Sequence, residues 1–324
     1  MGDDLRKFVS ASLVYAAMAI YLYQPYFNRF VFLRFLVPMN VCAAGLGCYV
    51  LSRRWVFSFW ASLFAGLLYG FGPLMLRINS FHPSAGVMAA AIPWLFCPAV
   101  YATKGKWQWL SWCLCTLPFL AIAAFFVVTA YFHLFVMPKQ IKLGAMDLLR
   151  IFAPTVKING WPGCVGFYHV AIAPLIIGLA MLLAAKRHGI LVILLTGLVL
   201  GFSNAFFNVT PIMWVTIPTL GCAIIIGEGI QGLTDAGFSD RKWVLTTAII
   251  LAALSILQTA LAAKFAAAFS QGAKMYMLGA VVVGTIFFIL KAKMRIGWVK
   301  MLILCLAMAV DIFFGARYIV DMLF

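Results

Sequence analysis

Residues 243–266 read WVLTTAIILAALSILQTALAAKFA, and this stretch decides the class of fold. Its one charged residue is Lys264, close to its end, and Arg241 and Lys242 stand directly before it. About 20 consecutive apolar residues in a helix cross the hydrocarbon core of a bilayer. A helix also satisfies its own backbone hydrogen bonds, as a segment surrounded by lipid requires. The stretch therefore predicts a transmembrane helix.

Ten further apolar runs accompany this one. Hydrophobic residues make up 65% of the 324 residues and charged residues 10%, a composition that a soluble protein could not cover with polar surface. The predicted spans are 8–27, 35–51, 55–76, 84–102, 107–132, 166–185, 190–206, 211–227, 243–266, 275–290 and 301–320. We therefore expect an all-α, polytopic bundle of about eleven transmembrane helices.

The spacing of the runs leaves no room for a separate soluble domain. The longest polar connector covers 138–165, so residues 1–324 are expected to form a single membrane domain. Arg6 and Lys7 before the first apolar run resemble the start of a signal peptide. The run continues to Tyr26, however, which favours an uncleaved anchor.

The basic residues predict the orientation, because Lys and Arg resist translocation. With the N-terminus inside, fourteen of the 24 basic residues fall on the inner face and ten on the outer face. Four of those ten belong to the long connector, so the short connectors divide fourteen to six. We therefore expect an N-in, C-out topology.

The outer face is predicted to be strongly basic. Only Asp147 and Asp321 join its ten basic residues there. Such a surface attracts anions such as lipid phosphates. The predicted phosphate-binding residues are Arg29, Arg34, Arg77, Lys139, Lys142, Arg150 and Lys157. Alternatively, these side chains only anchor helix ends among the lipid head groups.

The long connector contains a helical pattern. Apolar residues recur at helical spacing from Ile141 to Phe152, with polar residues on the other faces, and Pro154 follows. This predicts an amphipathic helix over 141–152 that lies on the outer leaflet. A simple connection needs only a few residues, so we expect this one to cover or line a site rather than to act as filler.

Two kinds of polar residue are candidates for intramembrane chemistry. His82, His133 and His169 fall near the outer face, but no two of them have metal-binding spacing, so we expect neither a metal nor a haem cofactor. Asp311 lies about ten residues inside the last span, or ~15 Å deep at 1.5 Å per residue. Ionisable groups at that depth often serve function. The alternative is a protonated Asp311 that makes a hydrogen bond to another helix or subunit.

A family resemblance begins in the first half of the chain. Residues 44–106 contain Ala44-Gly45-Leu46-Gly47, Tyr49, Arg53-Arg54, Gly66, Tyr69-Gly70, Pro73, Arg77, His82-Pro83, Pro93 and Lys104-Gly105-Lys106. This pattern, followed by the long outer loop, Gly166 and Pro218, resembles the membrane core of GT-C-type glycosyltransferases. The resemblance covers about 35–230, and helices over 243–324 are additional.

The resemblance implies binding of a polyprenyl-phosphate sugar at the outer leaflet of the bacterial inner membrane. Enzymes of that family carry an acidic residue on a large first outer loop. Here the first outer connector, about 28–34, has no carboxylate, and Asp147 is the one candidate catalytic acid. Either Asp147 replaces the missing acid, or another chain completes the site, or the protein is a non-catalytic relative. The last two are favoured, so enzymatic activity stays open.

Three functions follow from these observations. The first is a GT-C-like protein that binds a polyprenyl phosphate or another anionic lipid. The second is an accessory subunit of a membrane complex, with other subunits as partners. The third, a transporter or flippase, ranks last because neither inverted repeats nor broken helices stand out. Membrane lipids are the expected partners in each case, and no nucleic-acid partner is indicated.

Overall fold

A computed structural model describes residues 2–29, 32–101, 108–134, 143–144, 150–154, 156–158, 161–162, 166–185, 188–206, 208–265, 269–294 and 296–324. The helices of the first half are α1 (Gly2–Tyr23), α2 (Leu36–Ser52), α3 (Phe59–Gly70), α4 (Pro73–Phe81), α5 (Pro83–Tyr101), α6 (Gln108–Cys115) and α7 (Leu117–Tyr131). Those of the second half are α8 (Ile172–Ala184), α9 (His188–Phe202), α10 (Thr216–Asp235), α11 (Arg241–Lys264), α12 (Phe269–Lys291) and α13 (Gly297–Leu323).

Shorter elements occupy the connections. Short 3-10 helices cover Gln24–Arg29, Phe32–Phe35, Arg150–Phe152, Pro211–Met213 and Phe238–Asp240. The strands β1 (Lys157–Ile158) and β2 (Trp161–Pro162) pair antiparallel, with Lys157 opposite Pro162.

The all-α, polytopic architecture predicted from the sequence is confirmed. Eight helical segments of the described chain are long and apolar enough to cross a membrane, and three shorter apolar helices join them. The eleven segments correspond one to one with the eleven predicted runs. By length and hydropathy, the protein is an integral membrane protein.

The fifth predicted span, over 107–132, divides at Thr116 into α6 and α7, and two other spans contain longer interruptions. The third, over 55–76, is interrupted at Phe71 and Gly72, so that α3 and α4 are separate helices. The sixth, over 166–185, becomes α-helical only at Ile172, and residues 166–171 form turns and irregular backbone. Hydropathy did not reveal either interruption, because the apolar composition continues through both.

Small residues allow the helices of the first half to pack closely. A Cβ added to Gly70 of α3 would come within 2.5 Å of the Val41 carbonyl oxygen, and one added to Gly66 within 2.6 Å of the Gly45 carbonyl oxygen, both in α2. The backbones of α2 and α3 therefore touch, which is the usual role of glycines four apart in membrane helices.

Contacts between helix ends agree with the predicted alternation of sides. The Tyr26 hydroxyl donates to the Asp321 carboxylate at 2.6 Å, and both ends are predicted to lie outside. Lys300 Nζ donates to the Ala236 carbonyl at 2.9 Å, and both are predicted to lie inside. The direction in which the bundle crosses the membrane stays a prediction.

The predicted amphipathic helix over 141–152 is not continuous. Leu143 and Gly144 have no regular structure, and Arg150–Phe152 form a 3-10 turn, while residues 141–142 and 145–149 lie outside the described part. Leu143 is buried, and its amide donates to the Gly201 carbonyl at the end of α9. This point of the connector therefore packs on the bundle rather than lying on a lipid surface.

Candidate functional site

The interruption between α3 and α4 is the first part of a buried site. Gly72 fits there because an added Cβ would lie 2.2 Å from the Leu68 carbonyl oxygen, and Pro73 begins α4. The carbonyl of Phe71 lies at this interruption, where the regular hydrogen-bond ladder of a helix ends. It accepts a hydrogen bond of 2.6 Å from the hydroxyl of Tyr168, which comes from the irregular segment 166–171.

The same irregular segment binds Asp311. One carboxylate oxygen of Asp311 accepts the Val170 amide at 2.6 Å, and the other lies 3.1 Å from His169 Nδ1. The side chains of His169 and Asp311 are each 2% exposed. Asp311 is twelve residues before the end of α13, or about 18 Å along the helix axis. Non-helical backbone at such depth is tolerated where protein surrounds it, as here.

Polar residues of α11 and α12 complete the cluster. The Tyr276 ring stands edge-on to the His169 ring, with centroids 5.0 Å apart and an interplanar angle of 86°. The Tyr276 hydroxyl donates to the Phe152 carbonyl at 2.9 Å, and Gln258 Nε2 donates to the same oxygen. We call His169, Asp311, Gln258 and Tyr276 the buried polar cluster.

Two polar atoms of the cluster have no hydrogen-bond partner among the described residues. They are His169 Nε2 and Gln258 Oε1, and both are buried. A Cβ added to Gly272 would come within 1.8 Å of Gln258 Oε1 and 3.1 Å of His169 Nε2. The two atoms therefore lie on the same side of α12, next to a residue without a side chain.

The sequence singled out Asp311 and His169 but missed Gln258 and Tyr276. Gln258 is the one amide in the apolar run 243–266, which is the signal that could have found it. Asp311 and His169 are 142 residues apart, so their pairing has no local signature. Arg317 faces α1 instead, where its guanidinium donates to the Tyr21 and Leu22 carbonyls.

Of the seven predicted phosphate-binding residues, Arg34 and Arg77 are the two whose side chains the structure describes. Arg77, which the sequence places near the outer face, is 6% exposed, and its guanidinium lies 4.8 Å from the Phe81 ring centroid. It belongs to α4, which packs inside the bundle, and Arg34 is exposed. Lys139, Lys142 and Asp147 lie outside the described residues, as do the side chains of Arg29, Arg150 and Lys157.

The three histidines have separate surroundings. His169 is bound to Asp311, the His82 Nδ1 accepts the Ser84 amide at 3.2 Å, and His133 is exposed with φ of 51°. Burial lowers the pKa of His82 from its ordinary value of 6.5. Within the part of the chain that the structure describes, no group of three or more His, Cys, Asp or Glu could hold a metal ion.

A cavity of about 370 Å³ lies apart from the buried polar cluster. Apolar side chains of α2, α5, α8, α9 and α10 line it, together with the Trp112 ring of α6. Two charged residues, Arg54 and Glu228, also line it, and Arg54 is exposed. The lining residues of α2, α5, α6, α8 and α9 lie at the helix ends that the predicted topology places on the inner side, whereas α10 lines the cavity from Ile217 to Glu228. The cavity is therefore an apolar space with charge at its opening.

Comparison with known proteins adds no relative. The chain matches no protein-family model, no curated protein and no solved structure.

Proposed function

We propose that this integral membrane protein binds a long-chain lipid with an anionic head group. The observation that carries the proposal is the apolar cavity between the helices, with Arg54 at its opening. Polyprenyl phosphate is the lipid that the resemblance to GT-C-type glycosyltransferases implies, and the bacterial plasma membrane is where we expect the protein.

The composition of the cavity supports a lipid chain as its occupant. Ligand sites are typically 300–1,000 Å³, mostly apolar, with a few polar groups that fix orientation. Here the walls include Phe96, Trp112, Ile193 and Ile224, and the charged groups are confined to Arg54 and Glu228. A hydrocarbon chain would contact these walls, while its phosphate would accept hydrogen bonds from the guanidinium.

The basic residues in the neighbouring connectors support an anionic head group. In the sequence, Lys104 and Lys106 stand between α5 and α6, and Lys186 and Arg187 between α8 and α9. These four helices line the cavity. The side chains of these four basic residues lie outside the described part of the chain, and the sequence alone places them in these two connectors. Clusters of this kind on the cytoplasmic side bind acidic lipids.

Lipid binding, rather than sugar transfer, is the function that we propose for the isolated chain. General-base catalysis needs a carboxylate beside the acceptor hydroxyl. Asp147 is the one outer-loop candidate ahead of the C-terminal helix, and it lies outside the described residues. A partner chain that supplies the missing acid would make the complex an enzyme, with this chain as its lipid-binding subunit.

Native mass spectrometry of the protein in mild detergent tests the proposal. We expect the wild type to retain added polyprenyl phosphate in preference to phosphatidylcholine.

Arg54→Glu should weaken retention of polyprenyl phosphate about tenfold or more, since a charge-assisted hydrogen bond contributes about 1.5–3 kcal/mol. Ile193→Trp should weaken it by filling the cavity. Lys242→Glu, an exposed reversal that does not line the cavity, is the control.

Other outcomes would contradict this placement. If reversal of Lys142 and Arg150 abolished retention while Arg54→Glu did not, the lipid would bind at the outer face instead. If fixed protein partners and no lipid accompanied the chain, it would be an accessory subunit.

Transport is a second candidate, which the interrupted helices favour. Phe71–Gly72 and 166–171 meet through the Tyr168 hydroxyl inside the bundle. Membrane transporters place their binding sites at discontinuous helices of this kind. Movement of the bound lipid between the leaflets of reconstituted vesicles is the measurement that separates a flippase from a binding protein.

A further inference from the structure

The orientation of the Gln258 amide is fixed by chemistry. The Phe152 carbonyl oxygen can only accept, so the amide atom that contacts it is the nitrogen. The oxygen of the same amide then points to the other side, where Gly272 leaves space beside it. Gln258 therefore presents an acceptor, not a donor, inside the bundle.

His169 presents a ring nitrogen to the same region. Its Nδ1 faces the Asp311 carboxylate. Its Nε2 lies close to the position that a Cβ on Gly272 would occupy, as Gln258 Oε1 does. If His169 is neutral and donates through Nδ1, then Nε2 is also an acceptor. Two buried acceptors would then lie near each other without a donor, which is unfavourable inside a protein.

The charge of the pair gives a second argument. An ionised Asp311 beside a neutral His169 has a net charge of −1 at a depth where isolated charges are costly. One added proton makes the pair neutral and places an N–H on Nε2. That N–H can donate to Gln258 Oε1 after a small side-chain movement. The Val170 amide already satisfies the second oxygen of Asp311.

We propose that His169, Asp311 and Gln258 form an intramembrane proton-binding site, with His169 protonated on both ring nitrogens at neutral pH. The proton comes from water, and the Asp311 and His169 pair changes from a net charge of −1 to 0. Two further titratable groups face the pair: Tyr276, which stands edge-on to the imidazole, and Tyr168, the neighbour of His169 in sequence. Both are occupied as hydrogen-bond donors to backbone carbonyls.

Proton binding at this site is coupled to the attachment of the backbone segment 166–171. Asp311 holds both the His169 ring and the Val170 amide, so it attaches the irregular segment 166–171 to α13. Loss of the proton leaves a buried negative charge and the two facing acceptors. The attachment of this segment is therefore stronger in the protonated form. This inference does not depend on lipid binding, because the cavity lies elsewhere.

Nitrogen NMR of histidine-labelled protein in lipid nanodiscs tests the site without altering it. The triple variant His82→Gln, His133→Gln, His188→Gln leaves His169 as the one histidine of the chain. At pH 7.5 we expect both of its ring nitrogens to give the shifts of protonated nitrogen. Asp311→Asn in the same background should remove the second proton, because the counter-charge is lost.

Each result decides the proposal. A single protonated nitrogen in the triple variant at pH 7.5 would overturn it, and would indicate a neutral His169 beside either an ionised or a protonated Asp311. Two protonated nitrogens that persist in Asp311→Asn would also overturn it, since Asp311 would then not hold the proton. A folded, monodisperse triple variant is sufficient for the first arm, so the test does not depend on the stability of Asp311→Asn.

Discussion

Gly272 shows how a single missing side chain shapes the buried polar cluster. It lies on α12, where a methyl group would overlap Gln258 Oε1 and crowd His169 Nε2. The residue therefore supplies room for the facing polar atoms rather than flexibility for the backbone.

Replacing Gly272 should destabilise the protein although alanine favours helices. Gly272→Ala forces Gln258 or the helix to move, and overpacking of this kind costs about 1–3 kcal/mol. Gly284 lies on the same helix with nothing within 4 Å of an added Cβ. Gly284→Ala should therefore be neutral or stabilising by up to about 1 kcal/mol. Thermal unfolding in one detergent compares them, and equal melting temperatures would contradict the crowding.

The interruption of the third span depends on a contact from another segment. Tyr168 is fully buried, and its hydroxyl supplies the donor for the Phe71 carbonyl. The sequence did not predict this arrangement, because the apolar run continues across Phe71 and Gly72 and hydropathy does not record a change of direction. The separation of α3 from α4 therefore depends on Gly72 and Pro73 and on the hydrogen bond from the Tyr168 hydroxyl, almost 100 residues away in the sequence.

Removing that donor should weaken the joint between α3 and α4. Tyr168→Phe leaves the buried Phe71 carbonyl without this partner, at a cost of about 1–3 kcal/mol. Tyr131→Phe, in which the replaced ring is exposed at the end of α7, is the matched control and should change little. The melting temperatures in detergent provide the measurement. A Tyr168→Phe variant as stable as Tyr131→Phe would show that the carbonyl has another donor.

Across the bundle, the sequence predicted the number of spans but not which residues become neighbours in the buried polar cluster. Apolar composition is a local property, so eleven runs were sufficient to predict eleven helical segments. The partner of Asp311, the burial of Arg77 and the cavity depend on which helices become neighbours. Contacts between residues that are far apart in the sequence determine which helices become neighbours. Neither hydropathy nor residue spacing encodes those contacts.

The direction of the bundle across the membrane is a prediction that a reporter fusion checks. With N-in, C-out topology, alkaline phosphatase fused after Phe324 should be active, because that enzyme works only after translocation. A fusion after Asp240, in a predicted inner connector, should be inactive despite equal expression. The reverse pattern would place Arg54 and the cavity on the outer side.

The contact between the first and last helices has a consequence for the order of synthesis. Tyr21 of α1 stacks on Phe313 of α13 with ring centroids 4.1 Å apart, and Asp311 of the same α13 reaches His169. During translation α13 is made after every partner it binds. Until α13 enters the bilayer, α1 and His169 lack their native neighbours, so the interior can close only after translation has passed Phe313.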